Sequence, residues 1–185
     1  MLNSLTKEQL IDLIKTEFAG VTRDGGVSWS EGSVIDDYGT KEERAAARAK
    51  DKDQSWMQVA EDPDWKPNGN GSQWYFLDSI GFRYYFVAAM MRSLTLGLDN
   101  LPVWRFNSIG GQWFMNASEL STVAEYVRFR AELPTLNALL AVLDEADMAY
   151  EDYLASGETW TPELIWSEWL EPLETKWRQY LPKTP

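Results

Sequence analysis

The sequence predicts a mainly α fold: one irregular helical bundle spanning residues 1–185, with a short hairpin or irregular loop near 103–115. Three observations predict it. Apolar residues recur at helical spacing in several separate segments. Ser, Thr and Asp stand where those segments begin, as helix caps do. The most apolar stretch, from Trp74 to Leu96, is apolar on nearly every side, as a buried central helix is. The length of 185 residues suits one domain.

Taken in order, residues 4–18 form an amphipathic helix through Leu10, Ile11, Ile14 and Phe18, started by Ser4 or Thr6. Gly20 and Asp24-Gly25-Gly26 close it and open a loop. Thr40 leads a capping box with Glu43, ahead of an alanine-rich helix with few large apolar groups. Trp56, Val59 and Ala60 extend that helix or form a turn of their own. Residues 62–72 change to Pro, Gly, Asn and Asp and read as a loop within the domain. The central helix then starts near Asp78 or Ser79. Beyond the hairpin region, Leu120 to Ala131 share one helical face that ends before Pro134. Leu136 to Leu154 mark a long helix stopped by Gly157. Trp166, Trp169, Leu170, Leu173 and Trp177 mark a last one, kinked or split at Pro172.

Composition removes several chemistries. The chain has no Cys and no His, so disulfides, thiol nucleophiles, imidazole bases and His- or Cys-ligated metals are excluded. With 17 Lys and Arg against 29 Asp and Glu the net charge is −12, and the pI near 4.4 opposes phosphate neutralisation, so nucleic acid is not an expected partner. The longest apolar run, Tyr84 to Met91, has eight residues where a membrane span needs about 20, and no signal peptide is evident, so a cytoplasmic location is expected. No phosphate loop, EF-type calcium loop or nucleophile elbow is present, and no cofactor or metal is expected. Asn70-Gly71-Ser72 and Asn116-Ala117-Ser118 match glycosylation triplets, with little meaning absent a secretory signal.

Carboxylates are the remaining chemical resource. Asp36, Asp37 and Asp51, with Arg48 and Arg83 available to pair, form one candidate cluster. Arg83 opens an apolar helix where the helix dipole prefers an anion, so it is expected to pair with Asp36, Asp37 or Asp51. Gly39 is expected to take a positive φ before the Thr40 cap. Asp144, Asp147 and Glu151 share a helix face, read as a solvated surface or as a docking face for a basic partner. Trp65 and Trp74 flank the polar loop; core packing is the leading reading for them, and as exposed rings they would be candidate binding aromatics.

Ser33-Val34-Ile35-Asp36-Asp37-Tyr38-Gly39, the following Glu43-Arg44-Ala45-Ala46-Ala47-Arg48-Ala49-Lys50-Asp51, and Phe76-Leu77-Asp78-Ser79-Ile80-Gly81-Phe82-Arg83-Tyr84-Tyr85 resemble an uncharacterised bacterial protein family over roughly residues 18–95. In that family the last phrase usually continues Leu-Pro-Ala-Tyr-Met, where this chain has Phe86-Val87-Ala88-Ala89-Met90, so a straighter helix is expected here. The resemblance implies a soluble bacterial protein of unknown function and no catalytic residues. The leading functional expectation is a non-enzymatic acidic domain that binds a basic protein, in one form an immunity-type inhibitor of a toxin. The alternatives are a metal-assisted hydrolase using Asp36, Asp37 and Asp51, or a small-molecule-binding regulatory module.

Overall fold

A computed structural model describes residues 5–51, 55–67, 73–96, 115–131 and 171–182. Within them the chain is mainly helical: α1 (Lys7–Glu17), α2 (Trp29–Asp36), α3 (Lys41–Arg48), α4 (Trp56–Glu61), α5 (Gln73–Phe76), α6 (Ser79–Leu96), α7 (Ala117–Ala131) and α8 (Glu171–Arg178). The 103–115 region lies outside the described residues except for Met115, which is buried. No helix among the described residues is long and apolar enough to cross a membrane.

Helix α6 is the axis of the core. Every residue from Tyr84 to Leu94 is buried, which is why its sequence lacks an amphipathic stripe. Helix α1 lays Leu10, Ile14 and Phe18, all fully buried, against α6 and α7, while α4 packs on α6, and α7 on α8. Asp78 caps α6: its Oδ1 accepts from the backbone N–H of Gly81 (2.8 Å) and also of Val27 (3.0 Å). That second bond draws the 26–27 segment onto the first turn of α6. Gly81 is required there, because a Cβ would sit 2.2 Å from the carbonyl oxygen of Val27.

Four helices start with a reciprocal capping box, in which the first residue's side chain and the one three positions on satisfy each other's backbone N–H. They are Thr6 with Gln9, Ser28 with Glu31, Thr40 with Glu43 and Ser55 with Gln58. Asn116 and Glu119 make the same exchange at α7, where Asn116 N–H donates to Glu119 Oε2 (3.1 Å) and Glu119 N–H donates to Asn116 Oδ1 (2.9 Å). The glycosylation-type triplet at Asn116 is thus a helix cap. Helix α2 itself falls where the sequence predicted an open loop, and Trp56–Glu61 is a helix with its own cap rather than an extension of α3.

The end of α2 also differs from expectation. Gly39 N–H donates to Val34 O (2.8 Å) and Tyr38 N–H to Ile35 O (3.1 Å), a Schellman closure. Tyr38 takes the left-handed conformation (φ 56°), one residue before the glycine expected to take it. Gly39 serves a different need: a Cβ there would lie 2.3 Å from the Val34 side chain.

Candidate functional site

The N-terminus of α2 gathers polar groups from three residues, Tyr85, Asp51 and Ser28. Its first N–H, on Trp29, donates to the Tyr85 hydroxyl (3.0 Å). The next, on Ser30, donates to Asp51 Oδ2 (2.8 Å), and the Ser30 hydroxyl donates to Asp51 Oδ1 (2.6 Å). The third, on Glu31, donates to Ser28 Oγ (3.3 Å). Each of these donors has a partner in the protein, and the Trp29–Tyr85 bond ties the start of α2 to α6.

Glu31 is 3 % exposed and meets two arginines. Arg44 donates from Nε and Nη2 to its Oε1 (3.3 and 3.1 Å), and Arg48 from Nε to Oε2 (2.7 Å). Arg44 and Arg48 stand four residues apart on α3, one turn, so both reach the same carboxylate. Burial pushes the Glu31 pKa up and is the largest single influence. The bonds from Arg48, from Ser28 N–H and from Arg44 together outweigh it and hold the group below its ordinary value. A shallow groove beside this pairing holds Lys41, but its two arginines are engaged by Glu31.

A cleft of about 590 Å³ opens beside the same helix start, within the size range of ligand sites. Trp29, Trp65 and Tyr85 form its apolar wall, while Asp51, Asp62, Asp64, Lys50 and Gln58 contribute its polar lining. The rings brace one another: Trp29 meets Trp65 at 5.4 Å, Trp74 at 5.0 Å and Tyr85 at 5.3 Å between centroids. Arg92, buried in α6, fixes the far rim, donating from Nη1 to the carbonyls of Ala60 (3.0 Å) and Asp62 (2.7 Å) where α4 ends. Asp62 Oδ1 accepts from Asp64 N–H (2.9 Å), which folds the two acidic residues into one turn.

The structure divides the residues singled out from sequence. Asp51 and Trp65 meet at the cleft, and Arg48 lies behind it on Glu31. Asp36 and Asp37 do not join them. They stand at the C-terminal end of α2, whereas Asp51 holds its N-terminal end, about 10 Å away at 1.5 Å per residue. Among the described residues no group of three Asp or Glu is placed to hold a metal ion, so the carboxylate set of the hydrolase reading is not assembled. Arg83 pairs with none of the three aspartates. It grips Glu119 of α7, with Nε to Oε2 at 3.1 Å and Nη2 on the other oxygen. The anion that Arg83 needs comes from a neighbouring helix start, where Glu119 is already held by its own capping box. Trp65 and Trp74 are 7 % and 2 % exposed, not surface rings. They fold inward onto Trp29, and the indole N–H of Trp74 donates to Pro67 O (2.8 Å). Asp144, Asp147 and Glu151 lie outside the described residues.

Sequence reasoning missed Trp29, Tyr85, Glu31 and Glu119. Ser28-Trp29-Ser30-Glu31 and Asn116-Ala117-Ser118-Glu119 both carry the capping-box spacing, which was the available signal for the two glutamates. Nothing in spacing marks Trp29 or Tyr85 among 25 aromatic residues.

The chain belongs to the family of unknown function DUF6714, whose sequence profile matches residues 6–102. All the residues that line the cleft fall inside that segment. No curated protein and no solved structure matches the chain.

Proposed function

We propose that this family member is a non-enzymatic acidic protein-interaction domain that binds a basic partner, with the cleft beside α2 as its docking point. The observation that carries the reading is the convergence of Asp51, Asp62 and Asp64 on one opening walled by Trp29 and Trp65. Carboxylates around an aromatic wall attract a cationic group and give its apolar stem somewhere to pack. The net charge of −12 adds long-range steering toward a basic surface. One form of this function is an immunity-type inhibitor that captures a basic toxin in a bacterial cytoplasm, where speed of capture matters most. Nucleic acid, itself anionic, is not a partner in this reading.

The test is kinetic. A partner recovered by pull-down is expected to be basic, with an association rate that falls steeply as salt is raised, because the attraction decays over about 8 Å at physiological ionic strength. A neutral or acidic partner with salt-independent association contradicts the reading. So does turnover of a small substrate by the purified chain.

A further inference from the structure

Glu31 engages its two arginines along one edge only. Arg44 gives Nε and Nη2 to Oε1, and Arg48 gives Nε and Nη2 to Oε2, the latter Nη2 at 2.6 Å. A guanidinium carries five N–H donors, so each arginine keeps Nη1 and the second hydrogen of Nη2 unspent. Both side chains remain partly open to solvent, 38 % for Arg44 and 43 % for Arg48. Because they hold the two oxygens of a single carboxylate, their guanidinium groups are neighbours, and both line the same groove. The buried carboxylate also fixes them in advance, so a ligand at their free ends does not bear the cost of ordering two long side chains.

The charges of the groove do not balance. Lys41, three residues before Arg44 and seven before Arg48, shares their face of α3 and lines the same groove. It is exposed and has no ion-pair partner among the described residues. Three cations thus face one carboxylate, an excess of two positive charges in a chain of net charge −12. One guanidinium suffices to pair a buried carboxylate, so the second arginine and Lys41 are surplus to that need. Glu43 does not correct the excess, since its carboxylate is spent on Thr40 and it does not line the groove. Ala45 and Ala49 complete the lining, so nothing bulky fills a volume of about 490 Å³.

We propose that this groove binds a phosphate monoester group, held by the free Nη1 ends of Arg44 and Arg48 with Lys41 beside them. Such a group carries about −1.5 to −2 charges at pH 7 and presents three acceptor oxygens, which matches the excess charge and the outward forks. A lone carboxylate would leave one cation over. The site is independent of the basic-partner reading, because the groove and the cleft share no lining residue.

The experiment titrates the full chain with phenyl phosphate, phenyl sulfate and a capped tripeptide carrying phosphoserine between two glycines. NMR follows the Nε–H resonances of Arg44 and Arg48 and the backbone amides of residues 41–49. Phenyl phosphate is expected to bind saturably, to shift these resonances, and to bind more tightly as pH rises through its second ionisation near about 6. Lys41→Ala should weaken it about threefold, the effect of one exposed charge pair, while Lys15→Ala, at an exposed lysine of α1, should leave it unchanged. Arg48→Lys keeps the charge that faces Glu31 but loses the fork, and should weaken binding about tenfold. Phenyl sulfate, a monoanion of the same shape, should bind more weakly; equal binding overturns the dianion assignment. Equal losses from Lys41→Ala and Lys15→Ala, or no saturable shift at all, overturn the site. Tighter binding of the tripeptide than of phenyl phosphate assigns the group to a phosphorylated partner, and equal or weaker binding assigns it to a small molecule. Failure of the site leaves salt-sensitive capture of a basic partner at the cleft untouched.

Discussion

Glu31 and Glu43 occupy the same position of the same motif, the third helical residue of a capping box, on consecutive helices. Each side chain bonds the backbone N–H of its cap, Glu43 to Thr40 at 2.7 Å and Glu31 to Ser28 at 3.4 Å. There the likeness ends. Glu43 is fully exposed, and its pKa is lowered by Thr40 alone, through the backbone N–H and then the hydroxyl. Glu31 is buried and depends on two arginines from α3. A capping box fixes a helix start locally. The same box with its glutamate turned inward also fixes how two helices sit together, and Glu119 with Arg83 repeats the device between α7 and α6. Three glutamates in one sequence pattern therefore do two different jobs, decided by what lies across from them.

The largest expected effect is at Glu119. Removing Arg83 strands a carboxylate that is 1 % exposed, so Arg83→Ala should lower stability by about 3 kcal/mol in urea denaturation. An unchanged midpoint would show that the Arg83–Glu119 pair does not join α6 to α7.

Next comes Glu31→Ala, which removes one cap bond and two charge-assisted contacts whose arginines remain partly hydrated. A loss of about 2–3 kcal/mol is expected, and α2 and α3 should lose amide-exchange protection together. Acid should report the same contrast. The folded-state pKa of Glu31 lies below the unfolded value near 4.5, so its contribution is full above that pH and is lost as pH falls through the depressed folded value. Glu31→Gln should flatten the fall of stability as pH drops below the unfolded value. A Gln variant with an unchanged acid profile would mean that Glu31 is not ionised in the fold.

Tyr38 sharpens the comparison from the far end of α2. It is 97 % exposed and held at φ 56°, where a side chain other than glycine is strained. Tyr38→Gly should raise stability by about 0.5–1 kcal/mol, the relief being partly offset by the freedom glycine gains in the unfolded chain. Smallest of all is Glu43→Ala, which should barely move the denaturation midpoint. If it matched Glu31→Ala, burial and the arginine pair would have no part in the difference.

How much of this was legible follows the reach of each signal. Helix α1, the Thr40 box, the apolar α6 with its start at Asp78, and the α7 face all rest on local spacing, and all are found. Helix α2 escaped because Trp29-Ser30-Glu31-Gly32-Ser33 has weak helix propensity and no apolar stripe; its start is held instead by Tyr85 and Asp51, distant in sequence. The partner of Arg83 escaped for a related reason. The need for an anion was readable from the helix dipole, but the anion lies 36 residues away. For Trp65 and Trp74 the polar loop around them kept an exposed reading open beside core packing, and the structure decides for the core, with their rings closed onto Trp29. The cleft depends on all of these long-range placements, so of its lining only Asp51 and Trp65 had been singled out.

The central claim, that a basic partner docks at the cleft, is tested most directly by two charge reversals of equal size at different places. Asp64→Lys changes the cleft rim, and Asp12→Lys changes an exposed position on α1; each takes the net charge from −12 to −10. Association and dissociation rates of the partner are measured for both, from low to high salt. The account predicts that both variants lose a similar share of long-range steering, while only Asp64→Lys also speeds dissociation, an effect that persists at high salt. Identical rates for the two variants, at every salt concentration, would contradict it.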